Sequence, residues 1–171
     1  MTEIEKLAIY IIHKSIDLAN EKNDDQYYCD IYKLHKLLYY SQGIHLARYC
    51  VPLFREKIEA WDCGPIIEGL VRIKHHYGYD PITKYVKSDF TIPHYQREIL
   101  NYVVNRYGHL TREEIVNLSK EDQTWIDARK YSCPLYPNPQ MNISRINANF
   151  VESMRESDDE QYKKYLSIIY R

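Results

Sequence analysis

The chain has 171 residues, 44% hydrophobic and 27% charged, with 23 Lys+Arg against 24 Asp+Glu. That length and balance fit one globular domain and exclude a disordered polymer, and no run of about 18 apolar residues is present to span a bilayer. Residues 1–86 carry 11 basic and 12 acidic side chains and residues 87–171 carry 12 of each, so the basic stripe that phosphate neutralisation requires of a duplex binder is missing.

Met1 to Lys6 is mixed in sign and opens an amphipathic pattern, which predicts no signal or transit peptide and a cytoplasmic protein. Thr2 and Glu5 form a capping box for a first helix running to about Asn20, with Ile4, Leu7, Ala8, Ile11, Ser15, Leu18 and Ala19 on one face. Asn20 to Gln26 reads as a polar loop. Asp30 then caps a second helix to about Tyr49. Ile31, Leu34, Leu37, Leu38, Ser41, Ile44 and His45 fall on one side of it, and Tyr28, Tyr32 and Tyr39 form a second stripe. Only a narrow polar strip with Lys33 and Lys36 remains, so this helix is predicted to be the spine, packed on two sides.

Val51 to Trp61 is irregular, with Phe54, Ile58 and Trp61 as expected buried anchors. Gly64-Pro65 is expected to open a third helix, since proline at the first position gives up an amide that has no partner. Ile66, Ile67, Leu70, Val71, Lys74 and Tyr77 would mark its faces and Gly78 its end. Asp80 to Ile92 reads as extended, and Ile82 to Val86 is β-prone, a candidate partner for residues 54–60. Pro93 begins a helix that ends at Gly108. Thr111 and Glu114 repeat the capping box for a short helix through Leu118. After a turn at Ser119 to Asp122 comes another short helix with Trp125 and Ala128. Residues 131–144 form a proline-rich loop, and the tail is helical from Asn147 to Arg155 and from Asp159 to Ile169. The expected fold is mainly α: a single multi-helix domain around a central buried helix, with at most a small β element.

Chemistry-bearing patterns are sparse. Cys29, Cys50, Cys63 and Cys133 include no C-x-x-C pair, and the seven histidines show no i,i+4 spacing, so no metal or other cofactor is expected. Cys63 beside Gly64 imitates a nucleophile on a tight turn, but no Asp or Asn partner and no Gly-rich oxyanion loop accompany it. No phosphate cradle of the Walker or dinucleotide type occurs. Residues 111–130 have the length of a helix-turn-helix, and its second helix would present Gln123, Thr124, Asp127 and Arg129; Asp122 and Asp127 would repel phosphate. Eighteen tyrosines against three phenylalanines suit a contact surface, and an AT-rich genome would produce the same bias. A surface that binds protein is left as the leading candidate, and no catalytic residue is proposed.

The run Lys33-Leu34-His35-Lys36-Leu37-Leu38-Tyr39-Tyr40-Ser41-Gln42 resembles the K-L-x-K-L-L-Y-Y-x-Q signature of the Panacea antitoxin domain, the family of SocA-like and phage-associated GepA-like proteins. The resemblance continues through Pro52-Leu53-Phe54, Ile58-Glu59-Ala60-Trp61, Gly64-Pro65-Ile66, Leu110-Thr111 with Glu114, and Trp125, covering roughly residues 5–130. His35 stands where glutamine is common and Cys63 where an aromatic is common. The resemblance implies the antitoxin of a toxin–antitoxin pair, neutralising a cognate protein toxin by direct binding, the toxin being encoded by an adjacent gene. Two alternatives are an adaptor that delivers the toxin to a protease and a DNA-binding regulator using residues 111–130. The partner-binding residues it points to are Lys36, Tyr39, Tyr40, Gln42, Trp61, Gly64 and Pro65.

Overall fold

Most helix starts that rest on a capping side chain stand where the sequence places them. In the computed structural model, which describes residues 1–167, Thr2 and Glu5 close a reciprocal capping box on α1 (Glu3–Lys22). Asp30 accepts the Lys33 amide at 2.9 Å to start α2 (Ile31–Tyr49), and Thr111 with Glu114 caps α5 (Arg112–Lys120). Pro93 and Gly108 bound α4 (His94–Tyr107), and Asp122 caps α6 (Gln123–Arg129). Each such cap satisfies amides that a first helical turn would otherwise leave open. α1 continues to Lys22, and one 3-10 turn at Asp25–Tyr27 takes up much of the expected polar loop.

α2 is the spine. It is packed by α1, α4, α5, the hairpin, α3 (Val71–Tyr77) and α7 (Ile143–Glu156), and only Tyr32, Arg48 and Tyr49 escape full burial. The closest approach is to α7. A Cβ on Gly43 would lie 2.2–2.4 Å from the Phe150 ring, so the ring rests directly on the α2 backbone. Gly43→Ala is expected to cost about 2 kcal/mol, because a methyl overpacks this site. Urea titration checks it, and the same substitution in a Phe150→Leu background should cost less.

Several expectations are corrected. The polar strip of Lys33 and Lys36 does not exist, since neighbours enclose α2 on every side and both lysines are interior. Lys33 donates to the carbonyls of Gly108 (2.6 Å) and Gln26, which satisfies its ammonium without solvent. Gly64-Pro65 begins a strand rather than a helix. Strands β1 (Ile58–Trp61) and β2 (Gly64–Ile67) pair antiparallel, Ile58 opposite Ile67 and Trp61 opposite Gly64. Proline's missing amide is as harmless on an outer strand edge as at a helix start, so the dipeptide reads equally well both ways. The third helix begins only at Val71, after Gly69 turns the chain at φ 91°, and ends at Gly78 as expected.

Residues 82–86 form no strand with 54–60, whose partner is β2. Instead the 80–92 segment lies across the core, burying Ile82 and Ile92, with Ile82 N–H donating to Cys29 and Val86 N–H to His13. Trp61 is 41% exposed and is no buried anchor, whereas Phe54 and Ile58 are buried. α7 starts at Ile143, four residues earlier than expected, and the helix expected from Asp159 is the short α8 (Glu160–Lys163), which has ended by Lys164; the expected end at Ile169 lies outside the described residues.

Candidate partner-binding site

The site grows out of the polar side chains buried on α2. In the hairpin, Ile58↔Ile67 and Ala60↔Pro65 turn their backbone groups outward, away from the partner strand. An open strand edge is an invitation to mispairing. On the β2 side, His35 Nδ1 accepts the Ile67 N–H at 3.0 Å and Lys36 Nζ donates to the Pro65 carbonyl at 2.9 Å. On the β1 side, Ala60 N–H donates to Pro139 O at 2.8 Å and Met141 N–H to Ile58 O at 2.7 Å. One helix and one returning loop thus close both edges. Gln42, one residue short of two turns beyond Lys36, holds the preceding segment: its Oε1 accepts from Leu53 N–H (2.6 Å) and Phe54 N–H (3.3 Å), and its Nε2 donates to Phe54 O (2.9 Å).

Burial sets the charge states of this row. His35 is driven down to about 3, by burial first and then by the Lys36 and Lys74 charges, so it is neutral. Its Nδ1 accepts a hydrogen bond and its ring proton therefore belongs on Nε2. Burial also lowers Lys36 to about 8, opposed by the Cys63 and Asp30 charges.

The hairpin's far end is clamped by α6. Trp125 Nε1 donates to Trp61 O at 2.9 Å, and Arg129 reaches Ala60 O and Pro137 O at 2.8 Å each while pairing with Asp62. Arg129 and the buried Thr124, two of the four residues that a recognition helix would present, are therefore committed to the fold, while Gln123 and Asp127 bond to each other. Gly64 sits at φ 93°, where a Cβ would stand 2.4 Å from Ser119 Oγ and 3.0 Å from Lys36 Cε. Only glycine meets both demands.

Beside this braced corner opens a cleft of about 410 Å³. Its rim is aromatic and branched apolar: Trp61 at 41%, Val71 at 62% and Tyr79 at 49% exposure, with Tyr32 and Ile66 half-buried. Tyr32 and Tyr79 stack at 5.7 Å, and the stack is flanked by the Arg112 guanidinium over Tyr32 (5.3 Å) and the Lys74 ammonium over Tyr79 (5.0 Å). Arg112 also pairs with Asp30 at 2.7 Å and donates to Tyr79 O at 2.6 Å. The ledge is preorganised, as an anchor pocket requires.

The seven residues singled out in the sequence fall into two groups. Lys36, Gln42, Gly64 and Pro65 are buried and build the corner from within, Tyr39 and Tyr40 are buried against Phe150 and Tyr107 instead, and Trp61 alone is displayed on the corner. Tyr40 stacks on Tyr107 at 4.3 Å and its edge reaches a second groove. Tyr32, Ile66, Val71 and Tyr79 are not singled out by the sequence: Tyr32 falls in the tyrosine stripe of α2, and Ile66 and Val71 are expected only to mark the faces of one helix beginning at Gly64. Among the described residues no group of three His, Cys, Asp or Glu side chains could hold a metal ion. Burial pushes the Cys29 thiol up to about 12, so it is inert at neutral pH.

Fold and site together define a helical domain whose buried signature helix braces a displayed β-hairpin beside an aromatic cleft. Residues 34–126, which run from within α2 into α6, match the family described as antitoxin SocA-like, Panacea domain, and the chain belongs to that family. No curated protein and no solved structure matches the chain. No helix among the described residues is long and apolar enough to cross a membrane.

Proposed function

We propose that this protein is an antitoxin that neutralises a cognate protein toxin, encoded by a neighbouring gene, by binding it through the hairpin corner and its cleft. It performs no reaction of its own in this reading and works in the cytoplasm. Membership of the antitoxin family carries the proposal. The rigid aromatic ledge supports it, since stable complexes concentrate binding energy in a few aromatic anchors within about 1,200–2,000 Å² of buried surface.

Co-expression of the flanking gene with and without this one is the direct test. Growth should be arrested by the neighbour alone and restored by the pair. Trp61→Ala should weaken the complex by about 2 kcal/mol, roughly thirtyfold, while a thermal melt moves little because the side chain is largely displayed. A neighbour without toxicity, or a Trp61→Ala variant that binds and neutralises as well as the parent, would overturn the proposal.

A further inference from the structure

A second groove, of about 610 Å³, lies between α4, α6 and α7, on surface the hairpin cleft does not include. Its floor is aromatic: Tyr40 lies face to face with Tyr107, 4.3 Å apart and 13° from parallel, beside Phe150. Its walls carry Glu121, Asp122, Glu152 and Glu156. Among the described residues none of these four carboxylates is ion-paired. Asp122 is bonded only through neutral donors, the Thr124 and Trp125 amides and Asn149 Nδ2 at 3.0 Å. The fully buried Tyr39 hydroxyl, also neutral, lies beside that carboxylate from inside the fold. Burial pushes the Asp122 carboxyl up, the response of an acid that lacks a compensating cation.

One end of the groove already displays the chemistry the rest is shaped for. Arg106 lies over the Tyr162 ring at 4.7 Å and the Tyr107 ring at 5.5 Å, and it is neutralised by Asp159. A guanidinium gains from an aromatic face and a carboxylate at once, and Arg does so better than Lys. Beyond Arg106, the rest of the groove is walled by carboxylates, and among the described residues no second cation lines it.

We propose that this groove seats an arginine-bearing basic segment of the partner polypeptide, its guanidinium held between the wall carboxylates at the edge of the Tyr40–Tyr107 stack. Naming that partner as the toxin rests on the antitoxin reading; the guanidinium chemistry does not. An antitoxin using both surfaces would cover an apolar anchor with the hairpin cleft and a basic patch with this groove.

The test uses the full chain and two peptide probes, oligoarginine and oligolysine of equal length, titrated calorimetrically at low and physiological ionic strength. Oligoarginine should bind several-fold more tightly than oligolysine. Glu121→Lys with Glu156→Lys, both exposed, should weaken oligoarginine about tenfold, and the same reversal at Glu113 and Glu160, which lie outside the groove, should have little effect. Equal binding of both peptides, or equal losses from the two reversals, would show diffuse charge attraction and overturn the site. In co-expression the groove reversal should lose neutralisation. If it binds oligoarginine poorly yet neutralises fully, the assignment to the toxin falls. If the neighbour proves harmless while the peptide results hold, the antitoxin reading falls and the groove stands.

Discussion

Replacing Gly64 with alanine is expected to destabilise the protein by about 4 kcal/mol. Two costs add. At φ 93° an L-residue is strained by about 1–3 kcal/mol, and the new methyl, 2.4 Å from Ser119 Oγ and 3.0 Å from Lys36 Cε, overpacks the corner by about 1–3 kcal/mol more. Ser119 cannot simply swing away, because its hydroxyl donates to Val116 O at 2.7 Å. Chemical denaturation of Gly64→Ala alone and combined with Ser119→Ala separates the two: the second change should recover part of the steric loss and none of the backbone strain. Equal stability of Gly64→Ala and the parent would mean that the turn is not held in this geometry.

Lys36→Ala is expected to cost about 3 kcal/mol. It removes the buried stem, leaving a cavity, and orphans the Pro65 carbonyl on the β2 edge. Loss of a buried charge offsets part of that. Lys36→Met keeps the stem and should cost less. pH distinguishes the charge from the packing. Lys36 titrates at about 8 in the fold against 10.5 as a free side chain, so between those values the unfolded chain binds more protons than the native one. The burden of the buried ammonium is thus fully present below about pH 8 and fades as pH rises towards 10.5; stability should climb across that window. Lys36→Met should lack the Lys36 share of that climb, while Lys33, which burial also lowers, and Cys29, which burial raises, contribute alike in both proteins. Above about pH 10 the buried tyrosines reverse the trend in both proteins, since Tyr39 and Tyr40 are raised chiefly by burial and the unfolded chain ionises first. A parent profile no steeper than that of Lys36→Met between pH 8 and 10 would remove the buried charge from the account.

These results recast the signature in α2. Its polar letters are not a contact surface: His35, Lys36 and Gln42 each hold a backbone group of the 53–67 segment from inside. A glutamine in place of His35, common in the family, would offer Ile67 N–H an acceptor in the same way. The signature therefore specifies a braced hairpin. Trp61 is displayed on it, beside the Tyr32–Tyr79 ledge.

Most of the local chemistry was legible in the chain, the Asn142 cap that starts α7 excepted. Capping boxes at Thr2 and Thr111, the cap at Asp30, Pro93 and the stops at Gly78 and Gly108 are decided by atoms three or four residues apart, so the sequence alone sets those boundaries. The near-continuous apolar circumference of α2 likewise announced a spine. What the sequence left open was which buried polar groups would meet which edges. Gly64-Pro65 satisfies a helix start and a strand edge equally, and a lysine flanked by leucines reads as solvent-facing until a carbonyl some thirty residues away is brought to its nitrogen. Burying an ammonium is tolerable only once such an acceptor is in place, and only the tertiary fold supplies the acceptor. The same holds for the acidic groove, whose carboxylates and tyrosines come from four separate segments that periodicity within any one of them cannot bring together.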